Sequence, residues 1–533
     1  MELLTATQMR AIEQAAIEGG EVTGLDLMER AGRGVVEAVF EAWPALAQGA
    51  FRALVLCGPG NNGGDGFVVA RLLAEEHGWL VDVYLYGEAE KLPPDARLNY
   101  ERWCAIGEVR SLTDLERQTY VLQSVEDAGK TWIFDAIFGT GLTRPIGGEL
   151  ADVLGPLSKM SVGERPAIVS VDLPSGVCSD SGRILGLALP SEMTVTFHLP
   201  KRGHYLASAA NGTGSLQVVD IGLPHRLPHP LKSVPLVASS EDEGRETWLL
   251  CGKDRTPRNV VTNHKYDHGH ALVLTGGSGK TGAARLAARG ALRIGAGLVT
   301  LGVPGSAQME VAAQITALML RRIDGAEALA GALQDARLNA LCLGPGLGVD
   351  RAGELVETAL SAAHRPAVVL DADALTAFAE APEVLFDLLH DRCVLTPHGG
   401  EFARLFPDIA ARLAETPTRG PAYSKVDATR AAAERAGCVV LYKGADTVIA
   451  SPFGACVVNS AHYDRAAPWL ATAGSGDVLA GFITGLLARG LSPMDAAQTG
   501  AWLHVECALT FGPGLIAEDL PEQLPAVFRA LGI

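Results

Sequence analysis

The sequence contains no uninterrupted apolar run of about 20 residues, so no membrane-spanning helix is expected. It contains no Cys-x-x-Cys pair. Its nine cysteines are odd in number and scattered from Cys57 to Cys507. That usage fits free thiols in a reducing compartment, not a disulfide framework or a cysteine zinc site. The opening residues, MELLTATQMRAIEQAA, carry charges where a secretory signal needs an apolar stretch. Basic residues are in the minority, 44 Lys and Arg against 61 Asp and Glu, and the formal net charge is −17. This balance argues against nucleic acid or an anionic membrane as a general partner. An anionic small molecule would have to be met by loop amides, helix N-termini and a few lysines. The expectation is a soluble cytoplasmic chain.

What is present is ordinary α/β material: 533 residues, 48% hydrophobic and 20% charged, with 61 glycines. Residues 3–43 read as helices from the spacing of Met9, Ile12, Ala16 and of Leu27, Ala31, Val35. Short β-rich runs follow at 53–57, 81–86, 132–136, 167–171, 194–198 and 216–221, with a helix expected over 66–77. The alternation predicts a parallel sheet with helices on both faces. The pattern breaks at 222–247, rich in proline and charge, which marks a linker. A second α/β run then places strands at 271–275, 298–303, 340–343, 367–370, 393–395, 439–442 and 447–450, with alanine-rich helices over 283–294 and 478–488. The expected domains are 1–224 and 250–533, joined by 225–249.

In the first half, Cys57-Gly-Pro-Gly-Asn-Asn-Gly-Gly-Asp-Gly66 follows a strand and opens a helix. It satisfies Gly-x-Gly-x-x-Gly, a weak signal alone, but adds Asn61, Asn62 and Asp65 where a dinucleotide loop offers mainly backbone. Two further loops, 135–145 (DAIFGTGLTRP) and 171–176 (VDLPSG), also sit at strand ends. Ligands of open α/β sheets lie there. Asn62, Asp135 and Ser175 offer hard oxygens suited to a large, weakly hydrated cation. Asp172 is a separate carboxylate available for proton transfer. The three motifs in this order, with Thr194-Val-Thr-Phe-His-Leu-Pro-Lys-Arg-Gly203, resemble the NAD(P)H-hydrate epimerase domain and imply a Rossmann-like α/β/α sandwich. The resemblance implies potassium held by Asn62, Asp135 and Ser175. It implies hydrate contacts from Asn61, Asn62, Gly63, Gly64 and Asp65, from Gly139, Thr140, Gly141, Leu142, Thr143, Arg144 and Pro145, and from Asp172, with Lys201 a further candidate.

In the second half, Thr275-Gly-Gly-Ser-Gly-Lys-Thr-Gly282 looks like a P-loop but lacks the required first glycine, residue 274 being leucine. The stronger signal is Ala471-Thr-Ala-Gly-Ser-Gly-Asp-Val-Leu-Ala-Gly481, a glycine turn feeding a helix N-terminus. Free N–H groups there form an anion hole, and Asp477 is placed to take a hydroxyl proton beside it. Gly344-Pro-Gly-Leu-Gly348, Asp371-Ala-Asp373, Thr396-Pro-His-Gly-Gly-Glu401 and Tyr442-Lys-Gly-Ala-Asp-Thr447 each follow a strand. Together these resemble the ribokinase-like fold and, more narrowly, the NAD(P)H-hydrate dehydratase domain, with His264-Lys265 and Gly295-Ala-Gly-Leu-Val299 as further matching positions. The resemblance implies substrate contacts at Gly346, His398 and Asp477, and nucleotide contacts at Lys443, Gly444, Ala445, Asp446, Thr447 and Gly476. One departure is the segment after Val458, NSAHYDRAAPWL, longer than the short turn expected there.

Taken together, the resemblance implies a homo-oligomeric enzyme acting on hydrated NADH and NADPH. Its first half would epimerise the hydrate, and its second would dehydrate it with ADP and magnesium. Two alternatives stay open from the residues: a sugar or vitamin kinase carrying an accessory domain, or a first half that binds ligand without catalysis.

Overall fold

The computed structural model describes residues 1–115, 131–160, 165–207, 209–224, 246–250 and 265–532. The expected linker 225–249 falls mostly outside these residues, as do Cys251 and His264. The described cysteines are free thiols, and no helix among the described residues is long and apolar enough to cross a membrane. The chain forms two compact units: residues 2–246 with 416–424, and residue 1 with 247–415 and 425–533.

The first unit opens with α1 (Ala6–Glu18) and α2 (Gly24–Ala42). Each starts where a threonine side chain accepts an amide of the first turn and an acceptor three residues on returns the bond: Thr5 with Gln8, Thr23 with Asp26. The sheet comprises β1 (Arg52–Cys57), β2 (Leu80–Leu85), β3 (Val109–Ser111), β4 (Thr131–Ala136), β5 (Ala167–Val171), β6 (Met193–Phe197) and β7 (Ser215–Val219). Its order is β3-β2-β1-β4-β5-β6-β7, parallel throughout. Central strands buried on both faces need continuous apolar runs, and β1 and β4 supply them: every residue from Ala53 to Cys57 and from Thr131 to Ala136 is buried. Chain direction across the sheet reverses between β1 and β4, and that switch point opens a crevice beyond the strand ends.

One expectation is corrected here. The helix after β1, α3, runs from Asn61 to Glu75, not from Gly66. Gly63, Gly64 and Gly66 therefore lie within the helix, and only Gly58 and the N-cap Gly60 precede it. A Cβ on Gly58 would collide with the Ile137 carbonyl and one on Gly63 with the Gly58 carbonyl, so the turn closes only with glycine.

The second unit holds β8 (Thr247–Leu249), β9 (His270–Leu274), β10 (Leu298–Val303), β11 (Met319–Arg322), β12 (Leu338–Leu343), β13 (Ala367–Leu370), β14 (Cys393–Leu395), β15 (Val439–Tyr442), β16 (Asp446–Ala450) and β17 (Cys456–Ser460). They lie in the order β8-β17-β16-β15-β14-β13-β12-β9-β10-β11. The pairs from β11 to β15 are parallel, and β15-β16 and β16-β17 are antiparallel. The unexpectedly long segment after Val458 continues β17 through Ser460 and then forms short 3-10 turns at Tyr463–Arg465 and Pro468–Leu470. Helices α4 (Gly282–Arg293), α5 (Ser475–Ala488) and α6 (Pro493–Phe511) contribute to the core. Ala287, Ala291, Phe482 and Ile483 are fully buried within it. Small residues let α4 and α5 approach closely: a Cβ on Gly481 would strike the Ala287 carbonyl.

Candidate active sites

The crevice of the first unit is a cavity of about 830 Å³, within the range of small-molecule sites. It gathers most of the expected positions: Asn61, Asn62, Asp65, Gly139 to Pro145, Asp172 and Lys201. Gly63 and Gly64 are buried in the helical turn behind them. Part of the lining was not expected: α1 contributes Met9, Arg10, Glu13 and Ile17, and α2 contributes Leu27, Met28 and Ala31. The α1 set is one helix face, at the spacing that brings side chains together.

Asp172 anchors the chemistry. Its backbone is left-handed, φ +67°, a strained conformation for a non-glycine residue. Lys201 Nζ lies 2.9 Å from its Oδ1, Thr196 Oγ1 donates to Oδ1 at 2.9 Å, and the Thr140 amide donates to Oδ2 at 3.0 Å. Burial raises the carboxyl's pKa, but Lys201 and the hydrogen bonds outweigh it and hold the group below the usual carboxylate range. Asp172 is therefore an anion. Lys201 is almost wholly buried and spends all three ammonium protons, on Asp172, on Thr196 Oγ1 at 2.8 Å and on the Phe197 carbonyl at 3.2 Å. His204, absent from the expected set, fixes the pair from behind. Its Nδ1 accepts the Lys201 amide at 2.9 Å, so its Nε2–H donates to the Asp172 carbonyl at 2.9 Å. Burial, then Lys201, lowers its pKa to about 4, so the ring is neutral.

Asp135 and Ser175 meet: Ser175 Oγ donates to Asp135 Oδ1 at 2.6 Å and its amide to Oδ2 at 2.7 Å. Burial still raises the Asp135 pKa, so the carboxylate would gain from a cation. Asn62 lies beside Gly139, with its amide nitrogen buried and unpartnered. Turning that amide puts an oxygen in its place. A neutral amide, a hydroxyl and one carboxylate are a donor set that fits potassium.

In the second unit, Asp477 stands in the first turn of α5, after Gly474 at φ +89°. His504, again not foreseen, is buried with a pKa lowered to about 4 by burial; its Nε2–H donates to the Ser475 carbonyl at 2.9 Å, bracing that turn. Half-buried Asp477 has its pKa pushed up to about 6, first by burial, then by Asp371, against the pull of Lys443, with Asp373 and Glu401 adding to the rise. Lys443 Nζ is 2.6 Å from Asp371 Oδ1 and 3.8 Å from Glu401 Oε2, and it lies close to Gly476. The 443–447 turn closes on itself: Thr447 Oγ1 donates to the Gly444 carbonyl at 2.7 Å, and Lys425 Nζ bridges the Lys443 carbonyl at 3.1 Å and Asp446 Oδ1 at 2.8 Å. Ala445 completes the turn. His398 caps a short helix, its Nδ1 accepting the Gly400 amide at 2.9 Å while its Nε2 lies 3.3 Å from Glu401 Oε1. Gly346, Lys280 and Asp373 line a smaller cavity of about 570 Å³. The carboxylates around Asp477 are the hard oxygens that magnesium takes.

These features define an α/β enzyme with a candidate catalytic crevice in each unit. Residues 24–203 match the model of the YjeF-related protein N-terminus, and residues 271–524 that of NAD(P)H-hydrate dehydratase. A bifunctional NAD(P)H-hydrate repair enzyme of Moorella thermoacetica is 37% identical, covering 100% of this chain and 97% of that protein. An NAD(P)H-hydrate epimerase of Rhodobacter capsulatus is 44% identical over 42% of this chain and 99% of its own length. The solved ADP/ATP-dependent NAD(P)H-hydrate dehydratase of Bacillus subtilis, co-crystallised with ATP and magnesium, is 28% identical over 52% of this chain and 95% of that one, with a TM-score of 0.43. The chain belongs to the bifunctional NAD(P)H-hydrate repair enzymes.

Proposed function

We propose that the first unit interconverts the R and S epimers of hydrated NADH and NADPH, and that the second dehydrates the S epimer at the expense of ADP. The observation that carries the reading is the contrast between two carboxylates: Asp172 held as an anion by Lys201, and Asp477 poised to titrate near pH 6 at a helix N-terminus.

In the first site the ring nitrogen of the hydrate expels the C6 hydroxyl, and water returns on either face. The Asp172 carboxylate steadies the cationic ring and takes a proton from the returning water. Asn62, Asp135 and Ser175 would hold potassium, which would supply a fixed positive charge to the site. Loop amides from Asn61 to Asp65 and from Gly139 to Pro145 receive the rest of the dinucleotide.

In the second site Asp477 takes the proton of the hydrate hydroxyl, whose oxygen attacks the terminal phosphorus of ADP and releases AMP. The ring nitrogen then expels phosphate, C5 loses a proton, and the dihydropyridine is restored. Gly346 and His398 contact the hydrate, and Lys443 to Thr447 with Gly476 hold the nucleotide. Magnesium, when bound, offsets the phosphate charge. Small molecules are the partners, in a cytoplasmic homo-oligomer. Asp477→Asn tests the division of labour. Nucleotide-dependent NADH formation should fall at least a hundredfold while epimer interconversion continues. Loss of both activities in the folded variant contradicts it.

A further inference from the structure

The epimerase reading leaves one step without a proton. Expelling hydroxide from C6 needs an acid, because the leaving oxygen must depart as water. Asp172 cannot supply it, being an anion paired with Lys201. Lys201 has no proton to offer, since its three N–H groups go to Asp172, Thr196 and Phe197. His204 is neutral, with both ring nitrogens engaged behind the site. Two carboxyls lie near enough to Asp172 to feel its charge, Asp65 and Glu13, and both line the cavity. Asp65 sits in the first turns of α3, with the glycine turn and the strand-end loops. Glu13 comes from α1, within reach of the charges of Lys201 and Asp172. It has no hydrogen-bond partner among the described residues, so its carboxyl is open to a ligand.

Resting on the epimerase reading, we propose that Glu13 is the acid that protonates the departing hydroxyl, working from the α1 wall of the crevice against Asp172 at the strand ends. The step balances. The Glu13 proton passes to the C6 oxygen, the C6–O bond breaks with its electron pair leaving on water, and the nitrogen lone pair forms the iminium. Water adds to the opposite face and gives its proton to Asp172, and that proton returns to Glu13 through pocket water. The acid and the base come from two different elements that line one cavity, α1 and the loop after β5. The charges around Glu13 suit the role. Burial and the Asp172 carboxylate raise its pKa, against Lys201 and Arg10, so the acid form persists above the usual glutamate range. Asp65, pushed well up by burial and by the same carboxylates, completes a cluster that cannot ionise fully. Asp95 and Arg144 also line the cavity, Asp95 beside Gly24 at the start of α2.

The test uses the full-length chain without nucleotide, following interconversion of a purified epimer by chromatography. For Glu13→Gln the expected result is a kcat lower by about 10²–10⁴ with KM within about threefold. Rate falls as pH rises through the acid's pKa in the parent, and this alkaline limb should vanish in Glu13→Gln and return, weakened, in Glu13→Asp. A Glu13→Gln kcat within about threefold of the parent overturns the proposal. So does a lowered kcat that keeps the alkaline limb, or a limb lost only in Asp65→Asn. A parent chain that leaves the epimer unchanged refutes the epimerase reading as well, whereas an active parent with unaffected Glu13→Gln refutes this assignment alone.

Discussion

Replacing Asp371 by Asn should move the acid limb of dehydration. Asp477 titrates near pH 6 because burial and its carboxylate neighbours, Asp371 foremost, outweigh Lys443. Asp371 also holds Lys443 by a 2.6 Å pair. The Asn variant removes one negative charge and releases a cation beside Gly476, and both changes favour ionised Asp477. A carboxylate that gains a cation neighbour drops by about 1–3 pKa units. We expect the limb to shift from about 6 to about 4–5, or roughly 1.4–3 kcal/mol of differential stabilisation. The sign follows from the role: the base must be ionised, so rate is lost as pH falls through the pKa, and lowering the pKa extends activity to lower pH. The assay is the pH dependence of NADH formation from the S hydrate at saturating ADP, each profile scaled to its own plateau. At pH 5 the scaled rate of the variant should exceed the parent's by about five- to tenfold. An acid limb that stays at about 6 or moves upward refutes the electrostatic account of Asp477.

Two further outcomes follow from the first unit. Ser175→Ala removes the hydroxyl that donates to Asp135, so half-maximal epimerisation should need at least tenfold more potassium; an unchanged potassium titration contradicts the ligand set. His204 is buried and neutral, with a folded pKa of about 4 against 6.5 unfolded. The unfolded state binds more protons between these values, so stability is complete above about pH 6.5 and about 3 kcal/mol of it is lost as pH falls to about 4. Denaturant unfolding across that window checks it, and His204→Gln should flatten the pH dependence.

Strands were the most legible part of the fold, because parallel strands buried on both faces carry continuous apolar runs that read without periodicity. The start of α3 was not legible. Asn61-Asn-Gly-Gly-Asp-Gly66 has poor helix propensity, and it is the close packing of Gly63 on Gly58 and of Gly64 on Met28 that makes it helical. The strand Cys456–Ser460 was missed because its partners, Asp446–Ala450 and Thr247–Leu249, define it only by pairing. Among site residues, motif positions clustered as expected in the first crevice. His204, His504 and Glu13 carried no motif signal: the two histidines bond backbone carbonyls 32 and 29 residues away, and Glu13 lies on a helix far from the motifs. Glu13 sits on a helix whose apolar spacing is plain, but only the fold shows that its Met9–Ile17 face meets the strand ends. Lys201 was a further candidate in the sequence, and the fold adds its burial and its ion pair with Asp172.

The central claim is that nucleotide is consumed in restoring NADH, because Asp477 activates a hydroxyl for phosphoryl transfer. The direct measurement supplies the pure S hydrate with ADP, or with a non-hydrolysable ADP analogue, and counts products. The account predicts one AMP and one phosphate for each NADH formed, and no NADH with the analogue. Full dehydration supported by the analogue would contradict it, leaving nucleotide as a ligand that closes the 443–447 turn and water as the leaving group.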